Sequence, residues 1–196
     1  MRRIGLFCED FAHESFITPL IRRFSSTHNT DVEIRPISVT GGRGTVVTEL
    51  HQYLRDLGRQ RADWLDLLVV ATDANCKSVS ERISELALQG FEVKPPCALA
   101  IPDPHIERWM LLDPPAVGLV LGVTPSLAPQ KCERGLYKRL LAKTIREAGL
   151  SPILGGMEYA RDIVNALDLD VDDKSFARLV RDLRTAFQQW SSATPP

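Results

Sequence analysis

The sequence predicts an α/β protein: a mainly parallel, four-stranded sheet flanked by helices, followed by a C-terminal helical extension. Three observations lead there. Leu67-Leu68-Val69-Val70-Ala71 is an unbroken apolar run that ends just before a carboxylate, Asp73, as suits a strand buried on both faces of a parallel sheet. Strand-like and helix-like periodicities alternate as β-α-β-α-β-α-β over roughly the first 115 residues. From Lys131 onward only helical periodicity remains.

Arg3 to Cys8 reads as the first buried strand, ending at Glu9-Asp10. Phe16, Ile17, Leu20, Ile21 and Phe24 then fall at helical spacing. Asp31 to Val39 alternates weakly, and Pro36 suits an edge strand or a strand end. Thr40 to Thr45, rich in glycine, leads into a helix carrying Val46, Leu50, Leu54 and Leu57. After the central strand, Ser78 to Gln89 is amphipathic, with Gly90 a plausible stop. Cys97 to Ile101 is a fourth short strand. A short helix around Trp109 should end at Pro114-Pro115, and Ala116 to Ala128 reads as a loop with a strand fragment. Leu136 to Ala148, Met157 to Leu167 and Ser175 to Trp190 read as helices. Asp172-Asp173 precedes the last, where negative charge favours a helix N-terminus. This divides the chain into a Rossmann-like core over residues 1-115 and a helical extension over 116-196, packed on the core.

At 196 residues with 44% hydrophobic and 25% charged positions, the chain has an ordinary globular composition. The net charge of −1 supplies no overall basic field for nucleic acid, leaving only a local basic surface for such a partner. The four cysteines, Cys8, Cys76, Cys97 and Cys132, are widely spread without a C-x-x-C, which argues against zinc. Cys8, at the end of an apolar run, reads as a buried thiol. No apolar stretch approaches the roughly 20 residues needed to span a bilayer, and Glu9 interrupts the first apolar run too early for a signal peptide. The expected location is cytoplasmic, with no membrane contact.

Acidic side chains follow three strands: Glu9, Asp73 and, a few residues beyond the fourth, Glu107. Parallel strands share one carboxyl edge, so these groups are expected to converge and to hold a divalent cation that relieves their repulsion. Asn75 would lie on the same side as Asp73 if the backbone stays extended. The competing reading makes Asp73 the cap of a helix starting near Cys76 and Asn75 a turn residue. Glu14 reads as a first-turn acid. Gly41-Gly42-Arg43-Gly44 could hold phosphate through backbone N–H groups and Arg43, or serve as a plain connection. His105 could act as an acid or base, or have no such role. His13 and Ser15 lack the elbow of a hydrolase triad. Arg134, Lys138, Arg139, Lys143 and Arg146 make one helix basic, either a solvated face or a phosphate-tracking surface.

Leu6-Phe7-Cys8-Glu9 and Val69-Val70-Ala71-Thr72-Asp73-Ala74-Asn75 resemble the strand-end glutamate and the D-x-D strand of the toprim domain. This topoisomerase–primase module also occurs in the overcoming-lysogenization-defect nucleases. Pro104 to Asp113 and Gly155 to Ala160 are similar to the small stand-alone toprim-like proteins found near bacterial defence genes. The resemblance implies a Mg²⁺- or Mn²⁺-dependent nuclease acting on DNA or RNA phosphodiesters, in anti-phage defence or repair, with a separate ATPase partner. Homo-oligomerisation is left open. It also implies Glu9 as general acid or base and Asp73 as a catalytic metal ligand. Two departures stand out: Asp10 replaces a glycine, and Asn75 replaces the second aspartate of D-x-D. Asn75 offers a carbonyl oxygen without charge, so Glu107 or Asp113 is expected to complete the metal site. Lys138 and Arg139 are the expected nucleic-acid contacts. The alternative is a non-catalytic toprim-like adaptor that binds a partner protein.

Overall fold

The computed structural model describes residues 1–39, 45–59, 64–91, 94–126 and 132–192. Four parallel strands form one sheet in the order β2-β1-β3-β4, with β1 at Arg2–Cys8, β2 at Val32–Ser38, β3 at Leu67–Ala71 and β4 at Cys97–Ala100. Every residue of β3 is buried, as its unbroken apolar run requires. Pro36 sits on the edge strand β2, opposite Leu6, where its missing N–H costs no second ladder.

Side-chain alternation along the strands divides the core in two. Ile4, Leu6, Val69 and Ala100 face one side, against α1 (Phe11–Thr27) and the helices after β4. Phe7, Leu68, Val70 and Leu99 face the other, against α2 (Val46–Gly58) and α3 (Val79–Leu86). The C-terminal helices α6 (Leu136–Glu147), α7 (Ala160–Ala166) and α8 (Lys174–Ser192) share the first of these clusters with the sheet. Trp109 stands at its centre, T-shaped against Phe176 and 5.7 Å from Phe16, with its indole N–H donating to Ser175 Oγ.

Two local expectations need correction. Helix α3 ends at Leu86, before Gly90, because Ala87 turns into the left-handed region at φ 48°, and a 3-10 turn follows at Leu88–Gly90. Residues 116 onward do not open as a loop with a strand fragment. Pro114 and Pro115 begin α5 (Pro114–Leu121) instead of blocking it, since the first helical positions need no N–H. Asp113 caps that helix, and α4 (Ile106–Trp109) is the short helix before it.

Cys8 is a buried thiol, its pKa pushed upward chiefly by burial. Cys76 and Cys132 form a disulfide with Cα atoms 5.4 Å apart, tying the loop after β3 to the chain that leads into α6. Their spacing in the sequence did not reveal this pairing. Among the described residues no helix is long and apolar enough to cross a membrane.

Candidate functional site at the carboxyl edge of the sheet

Adjacent strands β1 and β3 end side by side, with Glu9 N–H donating to Ala71 O across the ladder. This brings the side chain of Glu9 to the backbone of Asp73. Glu9 Oε2 accepts from Thr72 Oγ1 (2.6 Å) and from the Asp73 N–H (3.3 Å). Arg82 of α3 reaches into the same corner, donating to Thr72 Oγ1 at 2.6 Å and lying 3.9 Å from Glu9 Oε2. Arg82 is 7% exposed, so the corner is largely sealed from bulk water.

Asp73 is the hub of the edge. Its Oδ1 accepts from His13 Nε2 (3.1 Å) and from the backbone N–H of Ile106 (2.9 Å), and its Oδ2 lies 3.1 Å from His105 Nδ1. His13 is fully buried on α1, and its second nitrogen, Nδ1, meets Asp10 Oδ1 at 2.7 Å. Burial opposes a charge on His13, but hydrogen bonds and charge from Asp10 and Asp73 prevail and raise its pKa to about 10. Burial likewise works against the Asp73 carboxylate, yet His105 and His13 bring its pKa down to about 2. Asp10, despite partial burial, is also held below its usual range by His13. The edge therefore contains a buried imidazolium between two carboxylates.

Asp73 does not cap the helix that follows. Ser78 does, in a capping box with Glu81. Asn75 and Cys76 adopt left-handed conformations, φ 53° and 69°, so the chain is not extended after Asp73 and the same-side argument for Asn75 fails. Asn75 occupies a turn, its Nδ2 donating to the Asp73 carbonyl, while its Oδ1 is buried with no hydrogen-bond partner among the described residues.

The expected compensating carboxylates lie elsewhere. Glu107 is buried on α4, and its Oε1 faces Lys138 Nζ of α6 at 3.4 Å instead of joining Glu9 and Asp73. The first turn of α4 presents the Ile106 N–H to Asp73 and leaves the next side chain facing the basic helix. Asp113 Oδ1 accepts from Ala116 N–H, capping α5, and Oδ2 accepts from Asp168 N–H in the chain after α7, so both oxygens are engaged away from Glu9 and Asp73. Arg139 pairs with Glu133 and donates to the Arg134 carbonyl. Arg43 and its neighbouring glycines lie outside the described residues.

His13, Thr72 and Arg82 belong to the edge and were not read as site residues. One signal for His13 was present: with Phe16, Ile17, Leu20 and Phe24 it falls on the buried stripe of α1, and a buried histidine needs partners for both ring nitrogens. Nothing in the local sequence marks Arg82 apart from other helix arginines. Glu14 is a first-turn acid of α1, as expected.

A hard cation is bound by oxygen donors such as carboxylates and amide carbonyls. Glu9, Asp73 Oδ2 and the orphaned Asn75 Oδ1 are groups of that kind in this region of the fold. No group of three or more His, Cys, Asp or Glu suited to a metal ion occurs among the described residues, so such a cation would draw on two carboxylates, the amide and water. Compared with known protein families, with curated proteins and with solved structures, the chain has no match.

Proposed function

We propose that the protein is a toprim-type, Mg²⁺- or Mn²⁺-dependent phosphodiester hydrolase acting on nucleic acid, with Glu9 and Asp73 as its working carboxylates. The observation that carries this reading is the meeting of Glu9 with Asp73 at the carboxyl ends of adjacent parallel strands. Such an edge is where open α/β sheets bind ligands. Glu9, Asp73 and Asn75 would hold the cation, which supplies charge neutralisation at the phosphate and a more acidic bound water.

The remaining work falls to the protein's own side chains. Glu9 takes a proton from the attacking water or returns one to the leaving oxygen. Thr72 fixes the Glu9 carboxylate through its hydroxyl and is itself held by Arg82, so the base is oriented before substrate arrives. The His13 imidazolium, clamped by Asp10, keeps Asp73 ionised and immobile. His105, on the outer oxygen of Asp73, is placed to respond when that carboxylate changes partners. An ATPase partner, a role in defence or repair, and Lys138 and Arg139 as strand contacts are part of the same proposal.

One observation favours a second reading, the non-catalytic adaptor. Both Asp73 oxygens already have partners, and Glu107 turns to Lys138. Incubating the purified protein, alone and with its partner, with single- and double-stranded DNA and with RNA separates the two. The hydrolase cuts with Mg²⁺ or Mn²⁺, stops with EDTA, and loses about 10²-fold or more of its rate in Glu9→Gln. Glu9→Gln cutting at the full rate, or no cutting of any of these substrates, leaves the adaptor.

A further inference from the structure

Beside the sheet edge, and separate from Glu9 and Asp73, a cleft of about 670 Å³ opens between α6 and the turn preceding Met157. Small-ligand sites span roughly 300–1,000 Å³. Lys138, Lys143 and Arg146 line one wall, Phe11 and Met157 the other, and Glu107 also borders the space. All three of these α6 side chains border the cleft, so their charges act on the same space. Phe11 is 57% exposed, an aromatic ring left for something to cover.

Glu107 gives this cleft its chemistry. Its side chain is only 5% exposed, and Oε2 is buried with no hydrogen-bond partner among the described residues. A buried carboxylate oxygen without a donor is costly, so it marks a place where a donor belongs. Oε1 has only Lys138 opposite it, at a long 3.4 Å, and that lysine side chain is 70% exposed. Lys138 is long, flexible and mostly in solvent, free to swing off Oε1 of the carboxylate that borders the cleft.

We propose that the cleft binds a guanine nucleotide, with the Glu107 carboxylate on the base, Phe11 against its face and the cations of α6 on the phosphate. A carboxylate only accepts hydrogen bonds, and it accepts two side by side. Guanine presents two adjacent donors, N1–H and N2–H. Adenine flanks its amino group with two ring acceptors, cytosine flanks its own with one acceptor and a C–H, and uracil and thymine flank one N–H with two carbonyls; none of them offers two adjacent N–H donors. The base therefore donates to Oε1 and Oε2 together, and the released Lys138 joins Lys143 and Arg146 on the phosphate. The guanine can come as a free nucleotide or as one residue of a single strand. Binding requires neither a metal nor Glu9, so it stands apart from the cleavage reading.

Calorimetry in EDTA with guanosine, inosine and adenosine 5′-monophosphates tests the site while the cleavage activity is silent. Guanosine monophosphate should bind about tenfold tighter than the adenosine compound, with inosine, which keeps N1–H but lacks the N2 amine, between them. Glu107→Gln, confirmed folded by its melting curve, should bring the guanosine and adenosine affinities within about twofold. Lys143→Glu with Arg146→Glu should weaken all three alike. Short oligonucleotides with one guanine or one adenine identify the source: tighter binding of the guanine strand than of the mononucleotide places the base within a chain, and the reverse a free nucleotide. Equal wild-type affinities for the guanosine and adenosine compounds, no binding of any probe, or a guanine preference that survives in folded Glu107→Gln would overturn the assignment. Loss of cleavage without loss of this binding would count against the hydrolase alone.

Discussion

His13 Nε2 lies 3.1 Å from Asp73 Oδ1 inside the protein, the histidine wholly buried and clamped from its other nitrogen by Asp10. An aspartate at a strand end would ordinarily be judged expendable for folding. Here it is the partner of a buried cation on another element.

Stability should therefore follow the charge of this pair. The folded pKa of His13 is raised to about 10 from its usual 6.5, so its contribution is fully present below pH 6.5 and fades as pH rises toward 10. Asp73, lowered to about 2 from 3.8, contributes above pH 3.8 and loses its contribution as pH falls through 2. Melting temperature should be highest between about pH 4 and 6.5. His13→Asn should flatten the alkaline limb and cost about 3–5 kcal/mol at pH 6, as removal of one member of a buried pair does. A wild-type melting temperature that stays level from pH 6 to 10 would refute the imidazolium.

A second buried pair joins the sheet edge to the last helix. Arg108 and Asp173 are 8% and 7% exposed and bonded to each other, and Asp173 also accepts from Phe176 N–H at the start of α8. Burial would raise the pKa of Asp173, but Ser175, Arg108 and the Phe176 N–H bring it below its usual range. Asp173→Ala should cost about 3–5 kcal/mol in urea denaturation, from the stranded guanidinium together with the lost cap. Asp172→Ala, next to it but exposed, should change stability by less than about 0.5 kcal/mol.

Backbone geometry gives a paired prediction at two glycines. Gly156 has φ 101°, and a Cβ there would stand 2.6 Å from Ile145 Cδ1 and 2.8 Å from Leu141 Cδ2. Gly122 has φ 77° and open space around it. Both alanine variants bear left-handed strain, about 1 kcal/mol, and Gly156→Ala adds overpacking of about 1–3 kcal/mol. Denaturation curves should rank Gly156→Ala below Gly122→Ala, and the reverse order would contradict this packing of α6.

The sheet was legible because its signals are local and redundant. Leu67 to Ala71 is too apolar and too short for anything but a covered strand, and a helix stripe separates each strand from the next. That Glu9 and Asp73 come from the ends of adjacent strands was legible too, because parallel strands share an edge; the contact itself runs from the Glu9 carboxylate to the Asp73 backbone. What stayed hidden depends on rotation and pairing. One left-handed residue, Asn75, redirects the chain after Asp73. Whether Glu107 faces Asp73 or Lys138 depends on where α6 packs, which no local pattern reports. Pro114-Pro115 reads equally as a stop or as a start until Asp113 is seen capping Ala116.

The buried pair also decides which variants can test catalysis. Asp73→Ala removes a proposed metal ligand, but it also strips His13 of one counter-charge, so lost cutting could reflect lost folding. Asn75→Asp is the cleaner probe. Asn75 sits at φ 53°, which aspartate also tolerates, and its Oδ1 is buried without a partner among the described residues. An aspartate there adds a charged ligand near Asp73 and, without a cation, a second buried charge with nothing to balance it. Asn75→Asp should therefore be about 1–3 kcal/mol less stable than the wild type in EDTA and melt below it, and should regain more than the wild type does when millimolar Mn²⁺ is added. Under the hydrolase reading its cleavage rate should rise with metal at concentrations where the wild type is unsaturated. Under the adaptor reading Mn²⁺ should move the melting temperatures of wild type and Asn75→Asp equally, because the added carboxylate then has no cation to share with Glu9 and Asp73.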